Sequence, residues 1–233
     1  MTPQSLFITG TDTGVGKTIV TSLIALHFMH QGADVGVMKP IASGCGFIDG
    51  ELINEDAVWL QQVTGVRDEM ELINPVRYAE PLAPLVAARR SGESTADVLQ
   101  QCARAYIELK RRHEIVIVEG VGGWLVPLAH HKSTFATCAD LVELLDLPVI
   151  IACRRILGTI NHSLLTCAQA PRQRQLGLIF CDATPVSPDD IAAQTSPALI
   201  AEISGLPILG QIPFLETLSP DKLRELADSL LPI

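Results

Sequence analysis

The segment FITGTDTGVGKTIV, residues 7–20, constrains the fold more than any other stretch of the chain. A β-branched apolar run breaks into a loop of glycine and threonine, and Gly16-Lys17-Thr18 then opens a helical pattern. A strand that passes through such a loop into a helix makes a cradle for anionic phosphate. Backbone N–H groups and the positive end of the helix dipole converge there. Lys17 would reach the terminal phosphates, and the Thr18 hydroxyl would join a Mg²⁺ shell. The spacing departs from the strict motif: Gly10 and Gly16 enclose five residues, one too many, and Thr11 stands where the first Gly is expected. A glycine-rich turn without a ligand is the plainer alternative.

Beyond this loop, short apolar runs alternate with helical stretches, the pattern of an α/β fold with a parallel sheet covered on both faces. Residues 5–9, 34–38, 114–120, 148–153, 176–181 and 208–212 read as strands. Residues 17–31, 55–64, 94–112, 161–173, 188–204 and 220–231 read as helices. Asn161 is the expected N-cap of the fourth helix, and Asp189-Asp190 opens the fifth. The three prolines of residues 74–84 predict a loop, while the course of residues 42–54 stays open. No repeat or low-complexity linker divides the 233 residues, and a chain of this length at 48% hydrophobic buries a large core. One domain over residues 1–233 is expected.

Charge narrows the partners. With 17 Lys+Arg against 26 Asp+Glu, the net charge is −9, so no basic surplus exists to neutralise nucleic-acid phosphates or an anionic membrane. The clusters Lys110-Arg111-Arg112, Arg154-Arg155 and Arg172/Arg174 read as solvated faces or helix ends. No run of ~18 apolar residues is present to span a bilayer. The residues before Lys17 lack the charge and apolar run of a secretory signal. Six scattered cysteines show no CxxC and no zinc-ligand spacing, which argues against a disulfide framework or structural zinc. The expected location is the cytoplasm.

Further motifs bear on chemistry. Glu119 ends an apolar strand before Gly120-Val121-Gly122-Gly123, and in parallel sheets ligands sit beyond the carboxyl ends of strands. Glu119 would therefore face the phosphate loop and hold Mg²⁺, unless it merely caps the strand end. Asp56 is either a second Mg²⁺ carboxylate or an ordinary acid favoured by its helix dipole. Lys39, followed by Pro40-Ile41-Ala42-Ser43-Gly44, stands at a strand end where it could stabilise a developing anion, or it is a surface lysine at a turn. Residues 158–162, GTINH, offer helix-start amides for a carboxylate, or a simple cap. His162 and the pair His130-His131 lack the partners of a catalytic or metal site.

Taken in order, GTDTGVGKT, KPIASG, Asp56, EGVGGW and GTINHSLLT resemble the dethiobiotin synthetase family, from about Phe7 to Leu215. The lengthened loop spacing is that family's variant. The resemblance implies a P-loop NTPase-type fold and a homodimer. It implies ATP- and Mg²⁺-dependent ring closure of 7,8-diaminononanoate with CO₂, giving dethiobiotin, ADP and phosphate through a carbamate and a mixed carbamic–phosphoric anhydride. Lys17, Lys39 and Thr13 would be catalytic, and Thr18, Asp56 and Glu119 would hold Mg²⁺. The nucleotide would meet Gly14, Val15, Gly16, Lys17, Thr18 and Ile19 at the loop, then Asp56 and residues Glu119, Gly120, Val121 and Gly122. Its base end would meet Cys181, Asp182, Pro213, Phe214 and Leu215. Thr13, Lys39 and Ser43 would bind the carbamate end of the substrate. Thr159, Ile160 and Asn161 of the partner subunit would receive its distant carboxylate.

Two positions depart from the family pattern. Gly14 replaces an acid carried by some relatives, and Cys181 replaces an Asn that reads the adenine edge, so looser nucleotide discrimination is expected. Two other readings compete. A P-loop amidoligase would activate a carboxylate, but it usually needs a glutaminase domain for which this chain has no room. A partner-switching ATPase of the partitioning type would carry an extra Lys where Thr11 or Asp12 stands.

Overall fold

Phe7 and its neighbours Leu6 and Ile8 are all fully buried, yet they enter two different cores. Successive side chains of a strand point to opposite faces, so a strand covered on both faces reads as an unbroken apolar run, as LFITG, IVIVE and VIIAC do. The computed structural model describes residues 4–230, and the parallel sheet with helices on both faces is found there. The expected last helical residue, Leu231, lies outside the described residues.

The strands are β1 (Leu6–Gly10), β2 (Val35–Met38), β3 (Ile41–Ser43), β4 (Gly46–Ile48), β5 (Glu51–Ile53) and β6 (Val76–Tyr78). They continue with β7 (Ile115–Glu119), β8 (Pro127–His131), β9 (Thr134–Thr137), β10 (Val149–Cys153), β11 (Gln175–Cys181) and β12 (Ile208–Ile212). The helices are α1 (Lys17–His30), α2 (Glu55–Thr64), α3 (Met70–Ile73), α4 (Pro84–Ser91) and α5 (Val98–Arg112). After them come α6 (Cys138–Leu145), α7 (Thr159–Gln169), α8 (Ile191–Ser204) and α9 (Pro220–Leu230).

One six-stranded sheet runs β12-β11-β10-β1-β7-β2, with every pairing parallel. Leu6, Ile8, Ile117 and Ile150 pack with Leu23, Ile24 and Phe28 of α1, Leu60 of α2 and Leu223 of α9. Phe7, Val116, Val118 and Ile151 pack on the opposite face with Leu109 of α5, Leu141 of α6 and Ile200 of α8. The chain leaves β1 toward β2 on one side, whereas β7 leads back to β10 on the other. That reversal opens a crevice at the carboxyl end of β1.

Several boundaries differ from expectation. Asn161 lies inside α7; the cap is Gly158, whose φ of 93° only glycine adopts freely, and the Thr159 hydroxyl donates to the Arg154 carbonyl to start the helix there. Pro171 follows the end of α7, so residues 170–173 do not extend it, because the residue before a proline is pushed out of the helical region. In α8, Asp190 is the N-cap rather than a helical residue. The expected loop at 74–84 contains β6, paired with β3, and Pro84 is the first residue of α4. Residues 42–54 contain the hairpin β4–β5, turning on Asp49-Gly50 with φ 51° and 86°.

At the β2 edge, His113 follows α5 and bonds to Asp34 through Nδ1 at 2.7 Å and to Asp68 through Nε2 at 2.8 Å. Arg112 reaches Asp68 and Glu69, and the Glu114 carboxylate accepts from the Asp34 amide. A ring that faces a carboxylate at each nitrogen can donate from both only as the imidazolium, so this geometry favours the protonated form. Partial burial pulls its pKa down, but the two carboxylates outweigh that and raise it above the ordinary 6.5. A raised folded value means the stabilisation is complete below the unfolded pKa and lost as pH rises through the folded one. Melting from about pH 6 to about pH 8 should show Tm falling as pH rises, with the fall reduced in His113→Gln. A slope unchanged by the substitution would show that the clip contributes nothing.

Candidate functional site

The crevice at the carboxyl end of β1 is a cleft of about 860 Å³. Its floor is the phosphate loop. Gly16 caps α1 at φ 84°, and a Cβ there would stand 2.4 Å from the Cys181 sulfur, so glycine is required on two counts. Val15 is buried beneath the loop and contributes backbone rather than lining. The amides of Gly14, Val15 and Gly16 donate to no acceptor among the described residues, which leaves them for an anion. The Lys17 ammonium donates to the Asp12 carbonyl at 2.9 Å.

Three elements bring the charged groups together. In the β2–β7 register Met38 faces Val118, so the next residues, Lys39 and Glu119, meet beyond the strand ends. Gly120 lets β7 approach β1 closely, since a Cβ there would come within 2.6 Å of the Phe7 ring. Asn54 caps α2 by accepting from the Ala57 amide, which sets Asp56 in the first turn facing the same point. Lys39 is bonded to Asp56 at 3.0 Å and to Glu119, and the Thr18 hydroxyl donates to Glu119 at 2.9 Å. Asn74 fixes the Lys39 main chain by donating to its carbonyl.

These contacts give the two lysines opposite characters. Burial pulls the Lys39 pKa down, but Glu119 and Asp56 outweigh it and hold the ammonium charged, above its ordinary range. Lys17 is lowered to about 8, first by burial and then by the like charge of Lys39. Burial works against ionising Asp56, yet the charge and hydrogen bond of Lys39 hold its carboxyl below the usual range. Glu119 is 1% exposed and its Oε2 is buried without a partner.

That orphaned oxygen tests the site for Mg²⁺. A hard cation wants oxygen ligands from one or two carboxylates, with nucleotide phosphates and waters completing the shell. Glu119, Asp56 and the Thr18 hydroxyl form such a donor set. Among the described residues no group of three His, Cys, Asp or Glu could hold a metal by itself.

Of the residues picked out in the sequence, Thr13, Gly14, Gly16, Lys17, Thr18, Ile19, Lys39, Ser43, Asp56 and Glu119 line the cleft. So do Val121, Gly122, Cys181, Asp182, Pro213, Phe214 and Leu215. Val15 and Gly120 support it from behind. Thr159, Ile160 and Asn161 do not line this cleft, and the Thr159 amide is already bonded to the Ile156 carbonyl. Sequence reasoning missed the wall made by Pro81, Leu82, Ala83 and Pro84, because it read that proline-rich stretch as a connection. It also read Arg154-Arg155 as a solvated face or a helix end. Arg155 instead grips Asp182 with Nε and Nη2, and Arg154 reaches the phosphate loop.

Comparison with known proteins adds the following. A family model described as an AAA domain matches residues 4–222. The chain is 42% identical over 227 residues to the ATP-dependent dethiobiotin synthetase BioD of Thermodesulfovibrio yellowstonii, spanning 95% of this chain and 93% of that protein. It is 36% identical over 228 residues to the enzyme of the same name from Bacillus licheniformis, at 96% and 91% coverage. The Nitrosospira multiformis protein of that name is 37% identical over 217 residues, at 91% and 88%. Among solved structures, the signal recognition particle 54 kDa protein from Aeropyrum pernix K1, in complex with GDP, superposes with a TM-score of 0.52 at 16% identity. That match covers 98% of this chain but 46% of the other, and it shows a shared fold.

On the β11 side of the cleft, the Cys181 sulfur is turned against Gly16 and the Asp182 carboxylate is occupied by Arg155. Neither side chain would present a free amide or carboxylate to the edge of a base placed there. Turnover with ATP, GTP and CTP should therefore agree within about a hundredfold. An ATP preference beyond that, about 2.7 kcal/mol, would contradict this account.

Proposed function

The chain belongs to the family of ATP-dependent dethiobiotin synthetases, and we propose that its cleft closes the ureido ring of dethiobiotin from 7,8-diaminononanoate, CO₂ and ATP. ATP-dependent dethiobiotin synthesis is its activity, and it is a ligase. The finer reading rests on one observation above all: a buried ammonium, Lys39, shares the cleft with a phosphate loop and two carboxylates.

In this reading a substrate amine takes up CO₂ as a carbamate. A carbamate oxygen attacks the γ-phosphorus, forming an O–P bond as the bond to ADP breaks. The second amine then attacks the carbonyl carbon of the anhydride, and phosphate leaves. Lys17 and Lys39 stabilise the charge that gathers on the transferring phosphoryl and the carbamate. Ser43 has a buried hydroxyl without a protein partner and Thr13 an exposed one, and both suit hydrogen bonding to the carbamate end. The wall from Pro81 to Pro84 suits the aliphatic chain. Bound Mg²⁺, held by Thr18, Asp56 and Glu119, would screen the phosphate charge.

The distant carboxylate would meet the free amides of Ile160 and Asn161 from a second copy of the chain. Support for a homodimer comes from the surface just before α7, where Ile156 is 41% and Leu157 89% exposed. We read the chain as a single catalytic domain working in the cytoplasm. Its six free thiols suit a reducing compartment.

The test is a mass-spectrometric assay with ATP, Mg²⁺, bicarbonate and 7,8-diaminononanoate, run on the wild type, Lys17→Ala and Lys39→Ala. Dethiobiotin should form with the wild type and fall by at least about a hundredfold in both variants. Product formation undiminished in Lys39→Ala would refute its cationic role. Nucleotide binding without any dethiobiotin would redirect the search to another amine.

A further inference from the structure

Arg154 directly follows β10 and has no part in the reading above. Its Nη2 donates to the carbonyl oxygen of Thr13, at the tip of the phosphate loop. The guanidinium lies over Gly14, where a built Cβ would stand 3.0 Å from Nη2. Gly14 also has φ 67°, so both conformation and space call for glycine under this side chain. Nε of Arg154 is buried without a partner. Its neighbour Arg155 is tied to Asp182, whereas no carboxylate among the described residues pairs with Arg154.

A trans peptide directs its C=O and N–H to opposite sides. Drawing the Thr13 carbonyl onto Arg154 therefore turns the Gly14 N–H the other way, toward the cleft that Gly14 lines. The arginine itself is fixed from behind, because its carbonyl accepts from the Thr159 hydroxyl at 2.7 Å and Thr159 is buried.

We propose that Arg154 is a positioning residue for the nucleotide, clamping the tip of the phosphate loop so that the amides after Thr13 face the polyphosphate. It acts through the main chain of the loop, at the Thr13 carbonyl. The proposal rests on the loop holding the phosphates of ATP, as read above.

Wild type, Arg154→Met and Arg154→Lys are compared in three ways: calorimetric titration with ATP and Mg²⁺, melting without nucleotide, and kinetics with ATP and 7,8-diaminononanoate varied separately. Loss of a charge-assisted hydrogen bond that orders the cradle should weaken ATP binding by about tenfold in Arg154→Met and raise KM for ATP alike. KM for the diamine should rise less than KM for ATP, and the nucleotide-free Tm should stay near wild type. Arg154→Lys should recover part of the ATP affinity, since an ammonium still donates to the Thr13 carbonyl. ATP affinity in Arg154→Met equal to wild type overturns the proposal. So does a fall in nucleotide-free Tm without a selective effect on ATP, which makes the residue merely structural. A wild type that binds no ATP overturns the reading of the cleft and this inference together, and is distinct from both.

Discussion

The Lys39 ammonium sits out of water between Asp56 and Glu119, and much of the chain's architecture goes into holding it there. An ion of that kind costs several kcal/mol to bury even after relaxation, and removing one partner of a buried pair costs roughly 3–5 kcal/mol. The pairing must therefore be set by something rigid. It is set by strand register: Met38 opposite Val118 in β2–β7, and Ile8 opposite Glu119 in β1–β7. A slip of one residue would turn Glu119 to the other face of the sheet and leave Lys39 with Asp56 alone. Apolar packing on both faces holds that register, so the two hydrophobic cores are what make the charged cluster possible.

The same sheet divides the labour of the cleft. On the β7 and β2 side of β1 stand the two carboxylates, Lys39 and Ser43, where bonds would be made and broken. On the β10, β11 and β12 side stand Arg154, Arg155, Cys181, Asp182 and Pro213, which shape the loop tip and the base end. The phosphate loop joins the two because β1 is the strand between β10 and β7. Glycines mark the points of closest approach: Gly120 against Phe7 and Gly16 against Cys181.

How far this was legible from sequence follows from the range of each signal. The unbroken apolar runs of β1, β7 and β10 announce doubly covered strands, and Gly16-Lys17-Thr18 announces the cradle, because both depend on neighbours in the chain. The meeting of Lys39 with Glu119 depends on a pairing 80 residues apart, and no local pattern carries it. Only the resemblance to a family put those residues in one site. The reading failed where a local rule had a nearby competitor. Asn161 is a good capping residue, but Gly158 reaches the left-handed conformation three residues earlier and the Thr159 hydroxyl secures the start. Asp49-Gly50 was a hairpin signal in plain view, obscured by the short strands on either side. Arg154 and Arg155 read as a surface pair because their partners, Thr13 and Asp182, are remote in sequence.

An acidic chain with net charge −9 that binds a polyanion needs local rather than global attraction. Within the cleft, Lys39 and Lys17 face Asp56 and Glu119, so formal charges balance, but they are not shared evenly. Both carboxylates bond to Lys39, while among the described residues the Lys17 ammonium bonds only to the Asp12 carbonyl. Burial therefore dominates at Lys17, with the repulsion of Lys39 added, and lowers it to about 8, whereas at Lys39 the carboxylates outweigh burial. Of the two cleft lysines Lys17 is the less compensated, and it stands at the loop whose Gly14, Val15 and Gly16 amides have no acceptor among the described residues. In the proposed reading, a phosphate arriving there would relieve the burial cost of Lys17 and satisfy the amides at once. Lys39, already paired with both carboxylates, would then be left to act where charge develops later.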